Sequence, residues 1–180
     1  ILWVLRYMER MTDWTTFQLF ESLWNAISTE HTVRNSPLRT PTVGTFGTEY
    51  PHVRTMVLRE IHPNQCIFFT DRRSQKCQDI SDSPQSSVHC YFPNTKLQLQ
   101  FYGRMYLLQT HDHLERWKNT ALRRPQDYST VDSPGFQTEK PDRIHYDQTM
   151  AERNFAALAF QMTEIHLLTL GTPHRRCKWT

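Results

Sequence analysis

The stretch of sequence that decides the fold runs from Arg54 to Gly103. It contains an extended segment, a strand, a basic turn and a later strand, which read RTMVLR (54–59), CIFFT (66–70), DRRSQK (71–76) and KLQLQFYG (96–103). Cationic side chains project from two neighbouring predicted strands. Lys76 stands at the start of a short predicted helix, whose free N–H groups and dipole favour an anion. The order of these segments predicts a pocket for a phosphorylated cofactor.

Length and composition favour one soluble domain without a nucleic-acid or membrane partner. The chain has 180 residues, of which 38% are hydrophobic and 22% are charged, and its formal net charge is only +3. This length supports a single buried core, and so small a charge gives no field that attracts nucleic acid. No apolar run approaches the ~20 residues that cross a bilayer. The four cysteines show no C-x-x-C pair, which favours free thiols in a reducing cytoplasm over disulfides or zinc.

Apolar periodicity predicts helices at the start of the chain and at two later places. Over residues 13–28, apolar side chains recur at intervals of three and four, with Thr12 or Asp13 as the N-cap. This amphipathic helix is expected to pack on the core like a lid. A short helix is predicted from Ser74 to Ile80, and a longer one over residues 111–122.

The remaining patterned segments predict strands. They cover residues 40–46, 52–61, 65–70, 87–92, 96–108 and 157–170, and the first two form an antiparallel pair. The strand over 96–108 alternates between an apolar and a polar face. The polar segment 125–153 is expected to be a long surface loop, and 173–176 a basic tail. Strands joined by short turns favour an antiparallel barrel over parallel βαβ units.

The same residues resemble a known family, the FMN-binding split-barrel proteins of the pyridoxamine 5′-phosphate oxidase type. The family pattern has a strand with basic residues at both ends, a strand ending in an aromatic residue and Thr, an S-x-K turn, and a later Gln before a Gly. The matching residues are Arg54 to Arg59, Phe69-Thr70, Ser74-Gln75-Lys76, and Gln98 with Gly103. The order of the motifs is more specific than any one of them. The resemblance covers roughly residues 14–176.

This resemblance implies a mainly β fold with flanking helices, a six-stranded antiparallel split barrel that forms a single FMN-binding domain over residues 1–180. It also implies a homodimer with flavins at the interface. Apolar surface for the dimer is expected from the aromatic helix over 14–27 and from the Leu97 strand. The implied activity is FMN-dependent oxidation of a phosphorylated substrate such as pyridoxamine 5′-phosphate. The last strand of the family is expected to be missing after Thr180.

The resemblance also assigns the cofactor site. The implied FMN-binding residues are Arg54, Thr55, Met56, Val57, Phe69, Thr70, Ser74, Gln75, Lys76 and Gln98. Among them, Lys76 and Ser74 are favoured as ligands of the FMN phosphate, and Gln98 would hydrogen-bond the isoalloxazine ring. Gln75 stands where the oxidases have an arginine, which removes one bidentate phosphate contact. Core packing is the alternative for Phe69, and cross-strand pairing is the alternative for Gln98.

Substrate recognition is where the sequence departs from the family. The implied substrate-binding residues are Arg59, Arg124, Tyr128 and Arg175. Arg59 occupies the place of a lysine that contacts substrate phosphate in the oxidases, although an ordinary surface ion pair is the alternative. Tyr128 stands where the oxidases use a serine, and Cys177 replaces the histidine of their closing R-L-H-D-R motif. These changes favour a second hypothesis, a flavin- or vitamer-binding carrier or sensor without turnover.

Other chemistries have little support. A third hypothesis is reduction of another conjugated substrate by a nicotinamide donor. The run His111-Asp112-His113 contains residue types that bind metal ions. The two histidines point apart on a helix, however, so no metal site is predicted. The sequence contains no G-x-S-x-G, Walker or G-x-G-x-x-G motif, and no catalytic residue is assigned.

Overall fold

The structure of the protein, a computed structural model, describes residues 16–137, 144–171 and 174–180. It confirms a mainly β, antiparallel fold with flanking helices. The predicted N-caps Thr12 and Asp13 lie outside the described residues. In the described part of the chain, no helix is both long enough and apolar enough to cross a membrane.

The secondary structure of the described residues consists of eight strands and a few helices. The helices are α1 (Thr16–Glu30), α2 (Gln75–Asp82), α3 (Thr110–Asn119) and α4 (Ala151–Asn154). The strands are β1 (Thr42–Phe46), β2 (Pro51–Thr55), β3 (Leu58–His62), β4 (Gln65–Asp71), β5 (Gln85–Phe92), β6 (Leu97–Leu107), β7 (Phe155–Thr169) and β8 (Arg175–Trp179). Short 3₁₀ turns occupy Ala121–Arg123, Pro125–Tyr128 and Gln148–Met150.

All of these strands belong to one antiparallel sheet in the order β2-β1-β5-β6-β7-β4-β3, with β8 paired to β7. Among the described strands, β7 has three partner strands, because β6 pairs along one edge of it while β4 and then β8 pair along the other. The sheet is not closed within the described residues, since β2 and β3 stand at the two ends of this order. The predicted number of six strands was wrong. Within the described residues the sheet has eight strands, because the predicted strand over 52–61 is two strands and the residues from Arg175 onward form β8.

The division of residues 52–61 has a direct consequence for the site. β2 pairs with β1, whereas β3 pairs with β4 at the other end of the strand order. Between them, the backbone amide of Met56 donates to the carbonyl oxygen of Pro41 at 3.0 Å. Arg54 and Arg59 therefore lie on two different strands, Arg54 on β2 and Arg59 on β3.

The main core fills the space between the sheet and α1. Leu23 and Ile27 of α1 are buried in it, as the predicted lid requires. The inward face of β6 is also buried, and it consists of Leu97, Leu99, Phe101 and Met105. The apolar surface expected to serve a dimer is thus used within the chain at these positions, which corrects that expectation.

A bulge in β7 explains why glycine is required in β6. The register between β6 and β7 shifts between Tyr102 and Gly103, where β7 carries one extra residue, Thr163. A Cβ atom at Gly103 would collide with the backbone carbonyl of Gln161. Only glycine allows the two backbones to approach this closely.

The segment 125–153 contains more structure than a surface loop. An isolated β-bridge joins Thr130 to Tyr146, and the Nδ2 atom of Asn154 donates to the carbonyl oxygen of Tyr128 at 2.9 Å. Its described residues help to form a second, smaller core, which consists of Trp117, Ala121, Tyr128, Ala151, Phe155 and Ala157. Burial of these aromatic groups fixes the segment against α3 and the start of β7.

Candidate functional site

The turn after β4 forms a polar corner, here called the Lys76 corner, which consists of Thr70, Ser74 and Lys76. Lys76 Nζ donates to Thr70 Oγ1 at 3.0 Å, and Thr70 Oγ1 lies 3.4 Å from Ser74 Oγ. Ser74 is the N-cap residue of α2, but its hydroxyl donates to the carbonyl oxygen of Asp71 at 2.6 Å and makes no side-chain cap. The first amides of α2 therefore receive no acceptor from the capping side chain, an arrangement that suits an anion.

The electrostatics of the Lys76 corner also suit an anion. Burial lowers the pKa of Lys76, and the nearby Arg54 guanidinium lowers it further. An anion bound at the corner would oppose both effects, because it would stabilise the charged ammonium. An ammonium group, a hydroxyl and helix N-terminal amides together fit the phosphate of FMN.

Arg54 lies against a buried carboxylate, and the residues around it are here called the Asp79 network. Asp79 Oδ2 accepts hydrogen bonds from Thr45 Oγ1 at 2.6 Å and from Arg54 Nη2 at 3.3 Å. His52 Nδ1 lies 2.9 Å from the same oxygen, and Gln75 Nε2 donates to Oδ1 at 3.1 Å. The side chain of Asp79 is only 2% exposed, so its charge depends on these partners.

These contacts keep Asp79 ionised. Burial opposes ionisation, but the hydrogen bonds from Thr45, His52 and Gln75 outweigh it and lower the pKa of Asp79 below its ordinary value. Arg54 Nη1 also donates to Thr45 Oγ1 at 2.7 Å. The structure thus places Arg54 in an internal ion pair beside the Lys76 corner. Its role toward a phosphate remains a prediction.

Arg73, from the same basic turn, has an architectural role. Its Nε and Nη2 atoms donate to the two carboxylate oxygens of Asp71 at 3.0 and 2.7 Å. The same guanidinium donates to the carbonyl oxygens of Thr130 and Val131, each at 2.8 Å. These hydrogen bonds hold the segment that follows Tyr128 against the turn after β4.

A second cationic group surrounds a pocket of about 260 Å³, here called the arginine pocket. Its lining consists of Arg39, Arg59, Phe69, Thr120, Ala121, Arg123, Arg124, Asp127 and Tyr128. Three predicted substrate residues, Arg59, Arg124 and Tyr128, are brought together there. Phe69, a predicted cofactor residue, lies in the same wall.

The contacts of Arg59 leave it able to bind a ligand. Its guanidinium carbon lies 5.3 Å from the centroid of the Phe69 ring, in a cation–π contact. Its Nε atom is buried and has no hydrogen-bond partner among the described residues. Burial raises the pKa of Tyr128, which keeps its hydroxyl protonated at neutral pH although Arg59 opposes the shift. Guanidinium groups beside a phenol hydroxyl form a donor set for a phosphate or carboxylate.

The structure does not bring the other predicted residues into this pocket. Gln98 lies half-buried on β6, and Arg175 is exposed at the start of β8. Thr55 is exposed at the end of β2, and Val57 is half-buried in the break before β3. The side chain of Met56 is buried in the main core, so only its backbone could contact a ligand.

Sequence reasoning missed the residues that surround the two arginines. Asp79 had a usable signal, because it stands four residues after Gln75 on a predicted helix and so shares a face with it. His52 and Arg39 had none, since their neighbours come from distant parts of the chain. Only the tertiary structure identifies them.

One exposed group in the described residues has metal-ligand spacing. The ligand atoms of His111, Asp112 and Glu115 lie within 4.8 Å of one another at the start of α3. His113 points the other way, with its ring 4.9 Å from that of Phe155. The two histidines therefore do not share a site, as expected from their spacing.

Comparison with known families agrees with these observations. A family profile described as the FMN-binding domain of pyridoxamine 5′-phosphate oxidase matches residues 15–109. This match covers more than half of the 180 residues, and the chain therefore belongs to that family of FMN-binding domains. The resemblance found in the sequence is confirmed, and FMN is the cofactor of the family.

Individual relatives are more distant. The chain is similar to a pyridoxine/pyridoxamine 5′-phosphate oxidase of Deinococcus deserti, at 36% identity over 34% of this chain and 29% of the relative. It is also similar to pyridoxine/pyridoxamine 5′-phosphate oxidase 2 of Hydrogenovibrio crunogenus, at 28% identity over 53% of this chain and 44% of the relative. The chain thus spans less than half the length of these curated relatives.

Solved structures support the fold. A pyridoxamine 5′-phosphate oxidase-related, FMN-binding protein of Nostoc punctiforme superimposes with a TM-score of 0.65 and 24% identity over 87% of each chain. PhzG of Burkholderia lata, solved with tetrahydrophenazine-1-carboxylic acid, has a TM-score of 0.66 and 15% identity over 88% of this chain and 83% of PhzG. At such identities the similarity shows a shared fold.

Proposed function

We propose that the protein is an FMN-dependent oxidoreductase that oxidises a phosphorylated substrate of the pyridoxine or pyridoxamine type. The observation that carries this proposal is the arginine pocket. Arg59 on β3 and Arg124 and Tyr128 after α3 are far apart in the sequence but line one cavity beside Phe69. A cavity with this lining suits a phosphorylated aromatic compound, because it offers guanidinium donors and an aromatic wall.

In this proposal the cofactor and the substrate are bound by two different groups of residues. Lys76, Ser74 and the first amides of α2 hold the FMN phosphate, and Gln98 hydrogen-bonds the flavin ring. Bound FMN would supply the two-electron acceptor that the side chains cannot provide. Arg59 and Arg124 bind the substrate phosphate, and the neutral Tyr128 hydroxyl donates to it. These residues orient the substrate, so no side chain is required to act as an acid or base.

We further propose that the protein is a cytoplasmic homodimer. Exposed apolar side chains on β1 and β2 support this, since Phe46 is 59% exposed and Val53 is 69% exposed. Both line a groove of about 530 Å³ that continues to Tyr102 on β6. A contiguous exposed apolar surface of this kind is typical of an interface. Light scattering of the FMN-loaded protein should give twice the mass of the chain, and a monomer would contradict the proposal.

A second candidate function is a flavin- or vitamer-binding protein without turnover. Two observations favour it. The amide of Gln75, at the position where the oxidases have an arginine, donates to Asp79. Cys177, at the position of their histidine, lies half-buried on β8. Neither residue offers the phosphate contact or hydrogen bond of its counterpart.

Absorption spectroscopy and oxygen consumption test the proposal and separate the two candidates. The purified protein should bind FMN in a stoichiometric complex and quench its fluorescence at roughly micromolar concentrations. In the absence of oxygen, adding pyridoxamine 5′-phosphate should bleach the flavin absorbance. In the presence of oxygen, the same addition should start oxygen consumption. Full flavin loading without bleaching would favour the binding protein. A colourless protein that does not quench FMN would contradict both the oxidoreductase and a flavin-binding protein.

A further inference from the structure

A smaller cavity of about 180 Å³ adjoins the arginine pocket and is here called the side cavity. It is lined by His31, Thr32, Arg39, Leu58, Arg59, Glu60, Phe69 and Thr120. Arg39, Arg59, Phe69 and Thr120 also line the arginine pocket, so the two spaces share a wall. Arg39 and Arg59 are therefore within reach of both spaces.

The side cavity has uncompensated positive charge. Its one carboxylate, Glu60, is already bound by Arg116, whose Nε and Nη2 atoms each donate to a Glu60 oxygen at 2.9 Å. Within the described parts of the chain, neither Arg39 nor Arg59 forms an ion pair. Unpaired guanidinium groups at a partly enclosed surface favour an anionic ligand.

Two residues of this cavity also carry a buried polar atom without a partner in the described part of the chain. The Nε atom of Arg59 and the Nδ1 atom of His31 are buried without a hydrogen-bond partner among the described residues. Both residues line the side cavity. Water in the cavity would leave the charges of Arg39 and Arg59 unpaired, whereas a carboxylate would compensate them.

We propose that the substrate carries two anionic groups, a phosphate bound in the arginine pocket and a carboxylate bound in the side cavity. This inference rests on the proposed function and adds the substrate class. The phosphate belongs in the larger space because Arg123, Arg124 and Tyr128 are added there to the two shared arginines, against the carboxylate of Asp127. The carboxylate belongs in the smaller one, where the planar guanidinium of Arg39 can bind it with two hydrogen bonds. Arg59 lies between the two anions.

Calorimetric titration of the FMN-loaded protein with a matched pair of ligands tests this. Pyridoxamine 5′-phosphate carries only the phosphate, and N-(5′-phosphopyridoxyl)glycine adds a carboxymethyl group on the same nitrogen. The glycine conjugate should bind at least about tenfold more tightly, the usual scale for a gained charge-assisted contact. The readout is the ratio of the two dissociation constants, which cancels any general weakening of the pocket.

Two arginine variants locate the second anion. Arg39→Met should reduce the ratio to near one, because Arg39 binds the carboxylate in the side cavity. Arg123→Met is the matched control, since Arg123 lines only the arginine pocket. It should weaken both ligands and preserve the ratio. Circular dichroism checks that both variants fold, and His31→Phe gives a second test, with an expected fall in the ratio.

The outcomes separate this inference from the proposed function. If pyridoxamine 5′-phosphate binds and the conjugate binds no better, the second anion is refuted while the proposed function stands. A ratio that survives Arg39→Met and His31→Phe also refutes it. If neither ligand binds, the proposed function is overturned, and this inference is overturned with it.

Discussion

Two arginines five residues apart in the sequence have opposite surroundings, and the contrast defines the site. Arg54 lies in the Asp79 network, where a carboxylate and a threonine hydroxyl take its hydrogen bonds. Arg59 lies between two cavities, with a buried Nε atom that has no partner among the described residues. The first arginine is already compensated by the fold. The second is available to a ligand.

This difference shows that a motif residue can be structural or ligand-binding according to its neighbours. Burying an ion pair is costly unless its geometry is good, so the four donors around Asp79 indicate a part of the fold that must remain intact. An unpaired cation at a cavity gives the fold little stability, so we expect its contribution in ligand binding. The Asp79 network should therefore control stability and the arginine pocket should control substrate affinity.

The largest effect is expected from Asp79→Asn. Removing the carboxylate leaves Arg54 unpaired, so the free energy of unfolding at pH 7 should fall by about 3 kcal/mol in urea denaturation. Asp82→Asn is the control, because Asp82 is exposed on the same helix and should change stability by less than about 0.5 kcal/mol. Equal losses in the two variants would contradict a special role for the Asp79 network.

The same variant should show a defined pH dependence. The pKa of Asp79 is lowered in the folded protein. Its ionised form therefore stabilises the fold above the unfolded pKa of about 4, and this contribution is lost as the pH falls through the folded pKa. The stability difference between the wild-type protein and Asp79→Asn should shrink as the pH is lowered below about 4. A difference that stays constant down to pH 2 would show that charge is not the cause.

The next effect is expected from Lys76→Ala. FMN binding should weaken by about 1.5–3 kcal/mol, the scale of a charge-assisted hydrogen bond, in a fluorescence-quenching titration. Riboflavin, which lacks the phosphate, should bind both proteins equally. Lys118→Ala, at an exposed position on α3, is the control. Equal losses for FMN and riboflavin would place the role of Lys76 in the fold.

Arg59→Met should weaken the binding of the substrate, whereas Lys76→Ala weakens the binding of the cofactor. Affinity for pyridoxamine 5′-phosphate should fall by about 1–2 kcal/mol, because one guanidinium contact with the phosphate is lost. The free energy of unfolding should change by no more than about 1 kcal/mol, since Arg59 has no ion pair to lose and its cation–π contact with Phe69 is removed. Arg153→Met, at an exposed position on α4, serves as the control. A stability loss as large as that of Asp79→Asn would remove the contrast between the two arginines.

The smallest effect is expected from Thr45→Val. Thr45 Oγ1 donates to Asp79 and accepts from Arg54, but His52 and Gln75 still contact the carboxylate in this variant. A loss of about 1 kcal/mol in the free energy of unfolding is expected. Thr42→Val, exposed on the same strand, should be nearly neutral. No change in Thr45→Val would mean that its hydrogen bonds are replaced by water.

Local patterns predicted most of the elements. The alternation of apolar residues in β6 and the three- and four-residue spacing in α1 are read directly from neighbouring positions, and both elements formed where expected. The break between β2 and β3 was missed because β-forming residues continue through Met56 and Val57. β8 was missed because Arg175 to Trp179 has little apolar character of its own, and its pairing with β7 stabilises it.

The sequence by itself determined the class of the protein, since the order of its motifs identified an FMN-binding family that the profile match confirmed. It also brought forward Arg59, Arg124 and Tyr128 as a set. Only the tertiary structure decided that Arg54 pairs with Asp79 and that Arg39 joins Arg59 at a cavity. The physical reason is the separation along the chain over which each effect acts. Propensity and periodicity act over a few residues, whereas the partners of a buried charge are set by sheet register and packing between distant segments.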